Sequence, residues 1–183
     1  MSKLKLYLDD VRTPIDTSWL VARNYEEFIK IITDNGGLKN FDIISLDHDL
    51  GDTAMAEYYN NVKPNYIIDY NNITEKTGLD CAKWLIDQSI DGRKTIPHPF
   101  IDGLTIDDEN QEFIFPTVYV HSANPIGSGN IMGYINNFFM NFHQPQTCVR
   151  VRIEHSIHPD FLMTPEERDK KWKKNNYGIK IRG

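Results

Sequence analysis

The stretch from Phe41 to Gly51 reads FDIISLDHDLG and decides the fold of the chain. Its first half is apolar and rich in β-branched residues, which is typical of a buried strand. Its second half carries Asp47, His48 and Asp49 and ends in a glycine. In open parallel α/β sheets, ligands bind beyond the carboxyl ends of the strands. The stretch therefore predicts a central strand with a functional site at its carboxyl end.

Two further segments have the same form, an apolar strand followed by polar residues. They are residues 4–8 (LKLYL), followed by Asp9 and Asp10, and residues 117–120 (TVYV), followed by His121, Ser122, Ala123 and Asn124. If the three strands lie side by side and parallel, their polar ends meet in one acidic pocket that contains histidine.

Composition places the chain among soluble single-domain proteins. A length of 183 residues allows one domain with a substantial core, and no run of 18 apolar residues predicts a membrane span. The N-terminus leads directly into a strand without a signal peptide, so we expect a cytoplasmic protein. Its net charge of −6 argues against a general nucleic-acid coat protein. Cys81 and Cys148 are expected to be buried thiols.

Predicted strands and helices alternate along the chain. The strands are residues 3–9, 19–22, 41–47, 117–120 and 148–153, and the helices run from Asn24 to the Gly36-Gly37 pair, from Thr77 to Ser89 and over residues 131–142. This alternation favours a parallel sheet with helices on both faces. The first two strands are separated by residues 10–18, too few for an ordinary helical crossover, so the first crossover helix is expected to be reduced or absent.

Three segments extend this plan. We expect one domain over residues 1–154 with insertions at about 52–76 and 91–116, and a helical extension over residues 155–183 that packs on it. The tyrosine-rich first insertion is predicted to border the pocket. In the second, residues 101–106 and 112–115 are predicted to form a hairpin. The basic helix of the extension is either a solvated face or a weak contact for nucleic acid.

The acidic residues at the strand ends suit a hard cation. Asp9, Asp10 and Asp47 offer the oxygen ligands that Mg²⁺ prefers, so they are the predicted metal ligands. The alternative is that these carboxylates cap helices or lie in solvent. A magnesium ion would also offset their charge when an anionic substrate binds.

The two histidines are the acid–base candidates, because imidazole titrates near neutral pH. Side chains alternate along a strand, so His48 should point away from Asp47 and Asp49, and a structural role for His48 is an equal alternative. The predicted catalytic residues are Asp47, His121, His48 and Asp49.

Phosphate contacts are predicted around the third strand end. Ser122 and Asn124 offer uncharged donors, and Gly127 lies in a glycine-containing turn that leads into a helix N-terminus, a favourable place for an anion. Arg12 can make a bidentate contact to a phosphate, with a surface salt bridge as the alternative.

These motifs together resemble the cyclic-phosphate-processing receiver family, a divergent branch of the response-regulator receiver fold. The matching blocks are residues 6–14 (LYLDDVRTP), 45–51 (SLDHDLG), 77–78 (TG) and 120–127 (VHSANPIG). The resemblance implies a receiver-like (flavodoxin-like), doubly wound parallel sheet of five strands. It also implies that Asp9 and Asp10 hold Mg²⁺, that Asp47 stands at the phosphoacceptor position and that Ser122 is the hydroxyl residue of the family.

The substrates implied by the resemblance are cyclic phosphates on nucleotides or RNA ends. The chain departs from signalling receivers in its short first crossover, in His48 and His121, and in the absence of a clear lysine on the last strand, where Arg150 or Arg152 could substitute. The leading hypothesis is a metal-assisted phosphoesterase acting on a cyclic phosphodiester. The alternatives are a non-catalytic binder of the same ligands, a phosphoaccepting signalling receiver, and a haloacid-dehalogenase-type phosphatase built on Asp9, whose motif would require an acid where Val11 stands.

Overall fold

The computed structural model describes residues 3–91, 95–97, 105–107, 115–141, 148–150 and 156–157. In chain order its strands are β1 (Leu4–Leu8), β2 (Thr13–Pro14), β3 (Trp19–Ala22), β4 (Phe41–Leu46), β5 (Thr95–Pro97), β6 (Thr105–Asp107), β7 (Thr117–Val120), β8 (Cys148–Arg150) and β9 (Ser156–Ile157). The α-helices are α1 (Tyr25–Asp34), α2 (Asp52–Glu57), α3 (Lys63–Asn65), α4 (Gly78–Asp91) and α5 (Pro125–Asn141). A π-helical turn, Tyr58–Val62, joins α2 to α3.

The main sheet is parallel and runs in the order β3-β1-β4-β7-β8. The chain passes from β1 to β3 in one direction along the sheet, and every later crossover between these strands goes the other way. The direction therefore reverses between β1 and β4, the place where ligands bind in open α/β sheets. The predicted α/β class with a parallel, receiver-like sheet is confirmed.

The core lies between the sheet and the helices α1, α4 and α5. The strands contribute alternate apolar side chains, which have no exposed surface: Leu6, Leu8, Ile44, Leu46, Val118 and Val120. The helices contribute the stripes that the sequence predicts, among them Phe28 and Ile32, Ala82 and Leu85, Ile131 and Ile135. Cys81 is buried in the same cluster, as predicted.

Two of these helices begin where the sequence predicts, and hydrogen bonds to side chains hold both starts. Asn24 accepts a hydrogen bond from the backbone N–H of Glu27 (2.8 Å), and the Glu27 carboxylate accepts the N–H of Arg23. At the start of α4, the Thr77 backbone N–H and hydroxyl both donate to Asp80. These bonds satisfy N–H groups that a helix leaves unpaired in its first turn.

The first crossover has no helix, as predicted. Residues 9–18, all of them described, form turns and the short strand β2. The helices α1, α4 and α5 lie in the crossovers β3–β4, β4–β7 and β7–β8, which all run in the same direction along the sheet. Right-handed crossovers in one direction place their helices on one face of the sheet, and α4 indeed contacts both α1 and α5. The opposite face receives no helix from residues 9–18, and the helix predicted in the tail lies outside the described residues.

Residues 52–76 form a helical segment where the sequence lacks a clear period. Two glutamates organise it. Buried Glu57 accepts hydrogen bonds from the Asp69 backbone N–H and from the side chains of Asn61 and Asn72. Glu75 accepts from the Thr53 hydroxyl and the Ala54 N–H at the start of α2. Contacts between positions distant in sequence therefore hold this segment.

Of the hairpin predicted in the second insertion, residues 105–107 form strand β6, which pairs antiparallel with β5. The predicted partner, residues 112–115, lies outside the described residues except for Phe115. Strand β9 pairs antiparallel with β2, next to the loop that follows β1. No helix in the described part of the chain has both the length and the apolar character of a membrane span.

Candidate functional site

Three parallel strands deliver the site residues to one place. Asp9 follows β1, Asp47 follows β4 and His121 follows β7, and all three are buried. One ligand atom from each lies within 4.8 Å of the others. The convergence predicted from the three strand ends is therefore present, and it lies at the reversal point between β1 and β4.

Arg12 occupies the centre of this cluster. Its Nε donates to Asp9 Oδ2 and its Nη2 to Asp47 Oδ2, while Nη1 lies 3.4 Å from the carbonyl oxygen of His121. The Asp9 carboxylate also accepts the backbone N–H groups of Val11 (2.9 Å) and Arg12. One guanidinium thus joins the ends of all three strands.

Arg23 fixes the loop that carries Arg12. Its Nη1 donates to the carbonyl oxygens of Asp9 (2.9 Å) and Arg12 (2.6 Å), and its Nη2 donates to the Thr13 hydroxyl. Sequence reasoning missed this residue. Its role depends on β3 lying beside β1, which no local pattern indicates.

The His121 side chain contacts neighbours through both ring nitrogens and through its ring face. Its Nε2 lies 3.1 Å from Asp9 Oδ2 and its Nδ1 lies 2.7 Å from the Ser45 hydroxyl, while its ring stacks on Tyr7 with 4.2 Å between centroids. A carboxylate only accepts hydrogen bonds, so Nε2 donates to Asp9. In the neutral ring, Nδ1 then accepts from Ser45.

Tyr7 and Ser45 are site residues that the sequence analysis did not find. Each stands two residues before an aspartate of the cluster, Tyr7 before Asp9 and Ser45 before Asp47. Residues two apart on a strand share a face, so this spacing was a usable signal. The face that carries the two aspartates also carries the partners of His121.

The carboxylates of the cluster differ in their charge environment. Burial raises the pKa of Asp9, but the hydrogen bond from His121 and the charge of Arg12 outweigh burial and lower it below its usual value. Burial and the charges of Asp47 and Asp9 raise the pKa of Asp10 to about 6. Asp10 forms no ion pair with a described residue, and it is not in the group with Asp9, Asp47 and His121.

His48 and Asp49 form a second network behind the first. Nδ1 of His48 donates to Asp49 Oδ1 (2.7 Å), which also accepts the Asn124 amide (3.1 Å). The backbone N–H of His48 donates to Asp47 Oδ1 (2.7 Å). The prediction that His48 points away from Asp49 is wrong, because the two side chains form a hydrogen bond. The regular alternation is lost beyond Leu46, where β4 ends.

Two glycines allow the close packing around His48. A Cβ on Gly78 would lie 1.8 Å from the Asp47 carbonyl oxygen, and the Gly78 N–H donates to the His48 carbonyl (2.9 Å). A Cβ on Gly127 would lie 2.2 Å from the His48 ring. Any side chain at either position would displace the loop that holds Asp47.

Most of the predicted phosphate contacts are engaged within the protein. Asn124 caps α5, because its Oδ1 accepts the Gly127 N–H (2.9 Å). Ser122 accepts the Asn124 N–H through its hydroxyl (3.2 Å) and is buried. Ser122, Asn124 and Gly127 therefore lie beside the site and position α5 and His48, whereas Arg12 lies at its centre.

Tyr70 connects the helical segment to this network. Its hydroxyl lies 3.1 Å from His48 Nε2 and 2.9 Å from Asn130 Nδ2. Burial raises the pKa of its phenol, and the charge of Asp49 adds to this effect. Residues 52–76 thus reach the site through a side chain that the sequence identified only as part of a tyrosine-rich stretch.

The fold and the side-chain cluster define a receiver-like α/β protein with an acidic site at the carboxyl edge of its sheet. Comparison with protein families finds a match to the cyclic-phosphate processing receiver domain over residues 4–137, more than half of the chain. The chain belongs to this family, as the sequence resemblance predicted. Neither the curated proteins nor the solved structures contain a match to it.

Proposed function

We propose that the protein is a metal-assisted phosphoesterase that opens a cyclic phosphodiester on a nucleotide or an RNA end. The observation that supports this most strongly is the meeting of Asp9, Asp47, His121 and Arg12 at the reversal point of the sheet. In the reaction, a water oxygen bonds to phosphorus, one ring P–O bond breaks and the leaving oxygen takes a proton. The product is heavier than the substrate by one water.

Arg12 is the proposed phosphate contact. A guanidinium has five N–H donors, and three of those of Arg12 are directed at Asp9, Asp47 and the His121 carbonyl. The remaining two have no acceptor among the described residues and are the proposed donors to phosphate oxygens. Because two carboxylates already hold the guanidinium, it needs little reorganisation to bind its ligand.

The residues present fit a magnesium ion. Two carboxylates, those of Asp9 and Asp47, share one guanidinium. Burial, together with the charges of Asp47 and Asp9, raises the pKa of the neighbouring Asp10. Asp9, Asp10 and Asp47 would hold the ion, which would neutralise charge on the phosphate. His121 lies within the same group, but its two ring nitrogens already form hydrogen bonds with Asp9 and Ser45. The ligands that remain are carboxylate oxygens, which favour Mg²⁺ over metals that bind imidazole.

Asp47 and His121 are the proposed catalytic residues. The carboxylate of Asp47 has a fixed orientation, because Oδ1 accepts from His48 and Oδ2 accepts from Arg12. His121 would move the proton at Nε2, exchanging its bond to Asp9 for one to the reacting oxygen. His48 and Asp49 contribute by holding Asp47 and its loop in place.

The test is incubation of the purified protein with Mg²⁺ and three ligand classes, with products read by mass spectrometry. The classes are cyclic mononucleotides, cyclic oligonucleotides and RNA with a 2′,3′-cyclic phosphate end. We expect a gain of one water in one class, and a rate reduced about 100-fold or more in Asp47→Asn. The matched control is Asp42→Asn, an exposed aspartate on the same strand, which should keep full activity. Full hydrolysis by Asp47→Asn would refute the mechanism.

A non-catalytic binder of the same ligands is the second candidate. It is favoured by the engagement of both His121 nitrogens, which leaves this ring without a free position for proton transfer in the ligand-free protein. Ligand that remains intact after incubation but elutes together with the protein would select this candidate over the enzyme.

A further inference from the structure

Tyr70 is held at the edge of the site by two hydrogen bonds. Asp49 accepts from Nδ1 of His48, so in the neutral ring Nε2 is an acceptor and the Tyr70 hydroxyl donates to it (3.1 Å). The amide of Asn130 donates to the phenol oxygen (2.9 Å). The hydroxyl is therefore committed to the protein, and the ring is the part of Tyr70 that remains for a ligand.

The side chain of Tyr70 is partly exposed although its hydroxyl is hydrogen-bonded within the protein. The residue is 37% exposed, whereas His48 is fully buried beneath it. The two rings meet edge to face at 62° with 5.8 Å between centroids, so His48 does not stack on Tyr70. Within the described part of the chain, no ring is stacked on Tyr70, which leaves a flat apolar surface.

The backbone around Tyr70 is also fixed. Asp69, directly before it, accepts the Asn71 N–H through its carboxylate (3.0 Å) and donates its own N–H to Glu57 (2.8 Å). Asn72, two residues after Tyr70, donates to the same Glu57 carboxylate. A ring held from both its backbone and its hydroxyl loses little conformational entropy when a ligand binds.

His48 bridges Tyr70 and the proposed phosphate site. It donates its backbone N–H to Asp47, and its ring nitrogen Nε2 accepts from the Tyr70 hydroxyl. Tyr70 and Asp47 are thus the two partners of one residue. In a nucleoside cyclic phosphate, the ribose likewise joins the phosphate to the base.

We propose that Tyr70 is a specificity-determining residue that stacks on the base of a nucleoside cyclic phosphate. The inference rests on the proposed function and narrows its substrate class to ligands that carry a base. Stacking on an aromatic side chain tolerates all bases, because every base has a π-face. Tyr70 would thus select nucleotides over base-free sugar cyclic phosphates without selecting one base strongly.

The test compares two probes that share their phosphate ring, adenosine 2′,3′-cyclic phosphate and the 2′,3′-cyclic phosphate of methyl riboside, which has no base. Turnover is measured as kcat/KM and binding by calorimetry, in the wild type and three variants. Tyr70→Leu removes the ring, Tyr70→Phe keeps it without the hydroxyl, and Tyr66→Leu is a control on a 69% exposed tyrosine of the same segment.

We expect Tyr70→Leu to lose about 10-fold more on the adenosine probe than on the methyl riboside probe. A loss that Tyr70→Phe shares on both probes measures the missing hydrogen bond to His48. Tyr70→Phe should keep most of the preference for the base, and Tyr66→Leu all of it. Equal kcat/KM values and equal affinities of the wild type for the two probes would overturn the inference even if Tyr70→Leu fails to fold. An equal loss on both probes in Tyr70→Leu would overturn it as well.

The two proposals fail in different ways. Selective binding of the adenosine probe without turnover would reject the enzyme and keep the role of Tyr70. Turnover of both probes at equal rates would keep the enzyme and reject the role of Tyr70. If the wild type neither binds nor turns over either probe, the role of Tyr70 on nucleoside 2′,3′-cyclic phosphates is rejected, and the enzyme is decided by the other two ligand classes of the mass-spectrometric test.

Discussion

The charges of the site are unevenly compensated from residue to residue. Arg12 is shared between Asp9 and Asp47, and its own pKa is raised by these carboxylates although burial alone would lower it. Asp10, next to Asp9 in the chain, feels the negative charge of both aspartates without an ion pair to a described residue. A site with this imbalance is costly to the apo protein and favourable for a cation.

Replacing Asp10 by asparagine should stabilise the protein in a pH-dependent way. Its folded-state pKa of about 6 lies above the value of 3.8 expected for the unfolded chain, so ionisation of Asp10 opposes folding. The penalty is complete above pH 6 and disappears as the pH falls towards 3.8. We expect Asp10→Asn to raise the free energy of unfolding by about 1 to 2 kcal/mol at pH 8, after allowance for its partial exposure.

Denaturant unfolding at pH 8 and pH 4 measures this difference. At pH 4 the two proteins should be nearly equal in stability, because the wild-type carboxyl is then protonated in the folded state. Asp42→Asn, at an exposed position, controls for the general effect of removing one negative charge. An effect of Asp10→Asn that is the same at both pH values would contradict the prediction.

Among the elements, the helices differ in how far local sequence defines them. The residues of α1 and α4 combine an apolar stripe with a cap, so their positions follow from the chain itself. The segment from α2 to the turn Tyr70–Asn72 is rich in asparagine and tyrosine, which have low helix propensity. It is helical because Glu57 and Glu75 satisfy its backbone and side-chain donors, and these contacts were invisible to a local pattern.

Replacing Glu57 by glutamine should loosen this segment without unfolding the core. The carboxylate accepts hydrogen bonds from three N–H donors, those of Asn61, Asp69 and Asn72. A glutamine amide has only one acceptor oxygen, and its NH₂ group would face N–H donors that it cannot bind. Hydrogen exchange of residues 61–72 should accelerate about 5- to 10-fold, while β1 and β4 keep their protection. Glu26→Gln, exposed on α1, should leave the pattern unchanged. Uniform acceleration across the chain would mean that Glu57 supports global rather than local stability.

At the scale of the whole molecule, the topology turns three separate motifs into one site. Residues 9, 47 and 121 are far apart in the chain, and only the order β1-β4-β7 makes them neighbours. Because the reversal lies between β1 and β4, the crossovers diverge there, which is the place where ligands bind in open α/β sheets. The loops that complete the site come from the first crossover, from residues 70–78 and from the start of α5.

The folded molecule should be stabilised by Mg²⁺. A cation held by Asp9, Asp10 and Asp47 binds the folded state and not the unfolded chain, so Tm should rise with the Mg²⁺ concentration. The free energy of unfolding should increase by about 2.7 kcal/mol when the Mg²⁺ concentration is 100 times its Kd. Thermal unfolding in MgCl₂ and in NaCl of matched ionic strength separates binding from screening. Asp47→Asn should reduce the magnesium effect. An equal rise in Tm in both salts would indicate screening alone and would contradict the proposed Mg²⁺ site.

The sequence by itself determined the strands that carry the site, the starts of α1 and α4 and the identity of Asp9, Asp47 and His121 as residues that converge. These follow from local periodicity and from the rule that parallel strands end at one edge. The sheet order, the central position of Arg12 and the links through Arg23, Ser45 and Tyr70 were decided only by the tertiary structure. The physical reason is that hydrogen bonds and ion pairs depend on distances of a few ångströms between residues far apart in the chain, which no local pattern encodes.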